Sequence, residues 1–89
     1  MKLLKDGDLD VQVECLQALG QIRDPEAVPL VEKRALGGFF TRPPRGVRLA
    51  AFRALAGIGT PRALKTLQKG LKDGDEEVRS AVKGMMGKE

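Results

Sequence analysis

The sequence predicts an all-α solenoid, a single domain over residues 1–89 holding about two and a half helix pairs in a right-handed superhelix. Three observations predict it. LKDGDLDVQ from Leu4 recurs as LKDGDEEVR from Leu71. VQVECLQALGQIRDPEAV from Val11 realigns with VRLAAFRALAGIGTPRAL from Val47, and VRSAVKGMMG from Val78 begins a third, partial copy. The resulting spacings of 36 and 31 residues mark stacked supersecondary units, none of which buries its apolar face alone. Finally, the chain has three aromatics, all Phe, and is rich in Ala, Leu, Lys and Arg, which suits helices joined by tight turns.

The units are expected at roughly residues 8–38 and 44–73, with a partial one at 75–87. Asp8 or Asp10 is placed to cap the first helix, whose apolar stripe is Val11, Cys15, Ala18, Leu19 and Ile22 at helical spacing. Asp24-Pro25 and Thr60-Pro61 each set a capping side chain before a proline at the first helical position, where a missing N–H costs nothing. Both second helices are expected to start there. Their buried faces read as Ala27, Val28, Val31 and Leu36, then Leu64, Leu67 and Leu71. Asp73-Gly74-Asp75 ends the second unit and caps the third, in which Lys83 and Gly84 weaken the last helix. Cys15, alone and on an apolar stripe, is expected to be a buried structural thiol; without an internal disulfide, a reducing cytoplasm is the expected setting.

VRLAAFRALAGIGTPRAL resembles the HEAT-like repeat of phycobilisome-lyase-type and many uncharacterised bacterial proteins. That pattern runs VR-x-x-A-x-x-AL-G-x-I-G-D-P-x-A, followed by leucines and a D-x-D turn, and the likeness extends over essentially the whole chain. The sequence departs from it at Gln12, where the pattern prefers Arg, and at Leu16 and Phe52, where a small alanine is usual. The resemblance implies a helical scaffold whose second helices line the concave surface. It does not carry an activity, because the pattern residues pack helices together. Lyase-type relatives act on bilin chromophores, and some HEAT-like proteins are DNA glycosylases that surround a base with aromatic side chains. This chain has no Trp or Tyr with which to do so.

Residues 1–5 read as the last turn of a second helix, and residues 78–87 as a first helix lacking its second. A solenoid end needs a polar cap. Neither end shows one in the sequence, so the expectation is a longer array, or ends that pair with another copy. Between the two full units, Gly37 to Gly46 form an insertion rich in glycine and proline that ends the preceding helix. Of its adjacent Phe39 and Phe40, at least one is expected to tuck into a core short of large side chains.

Charge divides the chain. Residues 1–32 carry three bases against seven acids, and residues 33–72 carry ten bases and no acid. After Pro61, Arg62, Lys65, Lys69 and Lys72 fall on one helical face, and Arg42 and Arg45 from the insertion extend it. These six residues are the expected partner-binding surface, for which an acidic protein is the first candidate. Non-specific nucleic-acid binding through the same residues is the alternative, and a structural spacer the third reading. Aromatic stacking partners are scarce, and no helix pairs a basic face with a large exposed apolar one as a membrane binder would.

Catalysis is not expected. With no His and one Cys, no common zinc set can form, and the glycines lack the spacing of a phosphate loop. Asp6 to Asp10 and Asp73 to Glu77 superficially resemble calcium ligands, but they lack the twelve-residue loop and read as capping turns. No cofactor or metal is expected, and no stretch is long and apolar enough to cross a membrane.

Overall fold

Side-chain caps open the helical segments that start at Pro25, Pro61 and Glu76 in a computed structural model of the chain, which describes residues 9–37 and 43–86. Asp24 accepts a hydrogen bond from the Glu26 amide at 2.9 Å and opens a 3-10 turn, Pro25–Ala27, leading into α2, Val28–Leu36. Thr60 accepts from the Ala63 amide at 3.2 Å and opens α4, Pro61–Lys69, which a 3-10 turn, Gly70–Lys72, extends. Each cap satisfies one orphan amide and is followed by proline. Asp75 accepts from the Glu77 amide at 2.8 Å and starts α5, Glu76–Met86. The remaining helices are α1, Leu9–Ile22, and α3, Arg45–Ile58. Gly59 closes α3 at φ +72°, its amide donating to Leu55 O; Arg23, 36 residues earlier, closes α1 in the same left-handed conformation at φ +61°.

The architecture is an all-α solenoid of two layers. First helices α1, α3 and α5 lie side by side with α3 in the middle, and α2 and α4 pack on its other side. The layers bury Leu16, Val28, Val31, Val47, Phe52, Leu55, Val78 and Val82 almost completely. Phe52, bulkier than the usual alanine, fits because Gly70 faces it. A Cβ built on Gly70 would stand 3.1 Å from the Phe52 ring and 2.7 Å from Val82 Cγ2.

The structure corrects several expected faces. In α1 the buried residue is Leu16, backed by Gly20, with Val13 and Leu19 partly packed. Ala18 and Ile22 are exposed, and Cys15 is half-buried at the edge of the core. α3 packs on the Leu16–Gly20 side of α1, whereas Val11, Cys15, Ala18 and Ile22 lie on the opposite side, at one end of the stack. In α2 the third core residue is Ala35, and Leu36 is exposed. Leu67 is buried, but Leu64 and Leu71 are exposed because no second-layer helix follows α4 among the described residues.

Ser80, Lys83 and Gly84 give α5 an exposed polar face, and Leu64 and Leu71 leave apolar surface beside it. Phe39 and Phe40 lie outside the described residues, as does Asp8.

Glycine fixes the α1–α3 spacing. A Cβ on Gly20 would stand 2.8 Å from Ala54 Cα, and one on Gly57 would stand 2.9 Å from Gly20 O. Backbone cannot yield there as a flexible side chain would. Gly84 in α5, by contrast, has open space around it. Gly20→Ala should therefore destabilise the protein by about 1–2 kcal/mol despite alanine's better helix propensity, and Gly84→Ala should stabilise it by up to about 1 kcal/mol. Urea unfolding midpoints of the two variants should move in opposite directions.

Candidate protein-interaction surface

The second-layer helices carry the basic face. On α4 and the turn after it, Arg62, Lys65, Lys69 and Lys72 are all exposed, whereas Ala63, Thr66, Leu67 and Gly70 are buried. The i, i+3, i+7, i+10 spacing thus becomes one solvent-facing row. Lys33 on α2 is exposed as well.

Glu32 on α2 modifies that row. Arg62 grips it with two bonds, Nε to Oε2 at 3.3 Å and Nη2 to Oε1 at 3.0 Å, and the Thr66 hydroxyl also donates to Oε2. Burial alone would push the Glu32 carboxyl up. The hydrogen bonds from Thr66 and Arg62, with the charges of Arg62 and Lys69, outweigh it and hold the group below its ordinary value of 4.5. No sequence signal announces this pair, since 30 residues separate its members.

Arg45 stands apart from the row. Its Nε donates to Asp75 Oδ2 at 2.7 Å and its Nη1 to Glu77 Oε1, so two carboxylates already balance it. The bond from Arg45 is the chief reason that Asp75 lies below its ordinary value of 3.8. Beneath it, Arg48 is buried: Nη1 donates to Pro43 O at 2.6 Å, and Nε lies 3.3 Å from Asp73 Oδ2. Arg79 donates to Asp73 O at 2.6 Å. These bonds tie the turn before α3 to the turn before α5. Asp73 and Asp75, which outwardly suggested cation ligands, are committed to caps and arginines, and no cluster of three metal-ligating side chains occurs among the described residues. Arg42 lies outside the described residues.

Of the six expected contact residues, the structure therefore brings four into one row. Arg62 in that row is engaged by Glu32, leaving Lys65, Lys69 and Lys72 as exposed cations with no ion pair among the described residues. A shallow groove of about 710 Å³ lies on the other layer, between α1 and α3, floored by Gly20, Ala54 and Gly57 and flanked by Arg23 and Arg53. Sequence reading missed it. The signal was the pair of glycines at the helix crossing, which brings the two backbones close enough to leave a trough.

Two repeated helix pairs, capped alike and bound by an Arg–Asp link between successive turns, match known repeat families. The HEAT repeats profile matches residues 35–88, and that of the PBS lyase HEAT-like repeat matches residues 11–37. The chain belongs to the HEAT repeat family. HEAT repeats generally mediate protein–protein interaction or scaffolding. No curated protein matches this HEAT repeat chain. No helix among its described residues is long and apolar enough to cross a membrane.

Two measurements probe these contacts. Asp73→Ala leaves the buried Arg48 with only the more distant Asp75 carboxylate, 3.7 Å away, and should cost about 2–3 kcal/mol in urea unfolding, a large part of the stability of a protein this small. For pH, Glu32 and Asp75 both have lowered folded values, so their stabilisation is complete above their ordinary values of 4.5 and 3.8 and is lost as pH falls through the folded ones. Unfolding free energy should therefore drop as pH falls below about 4.5, and Glu32→Gln should make that decline shallower. Equal slopes in the two proteins would show that Glu32 is not linked to folding.

Proposed function

We propose that the protein is a non-catalytic interaction module that binds an acidic protein segment through the second-layer face carrying Lys65, Lys69 and Lys72, with Arg62 at its margin. The observation that supports this reading is the row of three exposed lysines with no ion pair among the described residues, beside an arginine that Glu32 already engages. An exposed ammonium row attracts carboxylates by charge without demanding fixed geometry, which suits an extended acidic segment. Arg42 and Arg45, expected to extend the surface, enter this reading differently. Arg45 contributes only if its carboxylate partners are displaced, and Arg42 is the insertion residue to test beside it.

Nucleic acid is the competing ligand for the same lysines. Anisotropy titrations with a labelled poly-glutamate peptide, and with single- and double-stranded DNA and RNA, at about 50 and 200 mM salt separate the two. The expected result is peptide binding that weakens with salt, falls at least about tenfold in the Lys65→Glu, Lys69→Glu, Lys72→Glu triple variant, and exceeds binding of every nucleic acid at equal charge density. Tighter binding of nucleic acid, regardless of its sequence, would replace this reading. No binding of either at low salt would leave the spacer role.

A further inference from the structure

We infer that the stripe Val11, Cys15, Ala18 and Ile22 on α1, exposed at Ala18 and Ile22 and half-buried at Val11 and Cys15, is a self-association surface, on which a second copy of this chain packs antiparallel about a two-fold axis. The repeat register identifies the stripe as a helix-packing face. Its counterparts 36 residues on are Val47, Ala51, Ala54 and Ile58, all buried in α3 beneath α1. In α1, by contrast, Ala18 is exposed where Ala54 is buried, and Ile22 is 67% exposed where Ile58 is 8% exposed. Leu30 on α2 continues the open face: it is 45% exposed, and its counterpart Thr66 is 4% exposed against Glu32. A face with the composition of a buried helix contact is thus left at the surface.

The stripe's own pattern favours a second copy as its occupant. Large, small, small and large side chains stand at positions 11, 15, 18 and 22, symmetric about a point between residues 16 and 17. An antiparallel copy centred there sets Val11 against Ile22 of the partner subunit and Cys15 against Ala18 of the partner subunit. The small central pair lets the helices approach closely, as Gly20 and Ala54 do between α1 and α3. On the outer flank, Glu14 comes beside Gln21 of the partner subunit, which avoids direct charge opposition. Head-to-tail stacking is a poorer fit, because it would press the exposed Lys83 of α5 onto this apolar stripe. The inference is independent of the lysine face, which lies on the other layer and responds oppositely to salt.

The test is the mass of the full chain by light scattering from about 1 to 500 µM. The expected result is a rise from 9.6 kDa toward twice that value, strengthened by salt because the paired ends are acidic. Ala18→Glu and, separately, Ile22→Lys should hold the chain at 9.6 kDa with unchanged helical circular dichroism, since both side chains point to solvent in the monomer. Ala18→Cys should trap the dimer under mild oxidation through a bond to Cys15 of the partner subunit, within disulfide reach in this register. A wild-type chain that stays at 9.6 kDa throughout overturns the proposal. So does a dimer that survives both α1 substitutions, and a dimer lost only in Leu71→Glu would move the contact to the other end.

Discussion

Everything in this small solenoid hangs on α3. It is the helix against which α1, α2, α4 and α5 all pack, so its sequence has to satisfy neighbours on almost every side. Toward α1 it offers Ala51 and Ala54, small enough for the backbones to close at Gly20 and Gly57. Toward the other helices it offers Leu55 and Phe52, large enough to fill what two thin layers leave open. The same helix would fail with the faces exchanged, because a bulky residue at 54 would meet the α1 backbone and a small one at 52 would leave a void under Gly70. Glycine enters as the complement of a large neighbour or a close backbone, and its cost in helix propensity is offset by the contact it permits.

How much of this was legible follows from what each signal encodes. The caps at Asp24 and Thr60 are local, a capping oxygen followed by proline, and the helices begin there. The repeat was legible because every unit must present matching faces to the next. The choice of core face in α1 was not, and the reason is geometric. A first helix inside a stack is apolar on opposite sides, one for each neighbour, and periodicity reports both without saying which neighbour is present. Val11, Cys15, Ala18 and Ile22 have the right spacing for a buried stripe, and their counterparts in α3 are buried. Leu64 and Leu71 were misjudged likewise: their pattern calls for a second-layer neighbour that no described residue supplies.

The candidate surface was half legible. Spacing put Arg62, Lys65, Lys69 and Lys72 on one face, and they do share it. Spacing could not show that Glu32 folds back onto Arg62 across 30 residues, nor that Arg45 faces Asp75 and Glu77 across the next turn. Those partners come from the stacking of one unit on another, which single-sequence charge counting cannot see.

The division of the cations has its own logic. Arg45, Arg48, Arg62 and Arg79 are each bound to carboxylates or backbone carbonyls, mostly between successive units. Their planar, multi-donor guanidinium suits such fixed bridges, and Arg48 can sit buried because its two terminal nitrogens reach Pro43 O and Asp73 Oδ1 and its charge faces Asp73. The exposed row on the second layer is made instead of lysines, whose compact, strongly hydrated ammonium groups on flexible stems gain little from a single geometry. A face made of bound arginines would select a partner by shape and hydrogen-bond direction. One made of solvated lysines would select by charge density and stay adaptable in register, so the acidic segment proposed as its ligand should tolerate changes in sequence more readily than loss of acidic residues.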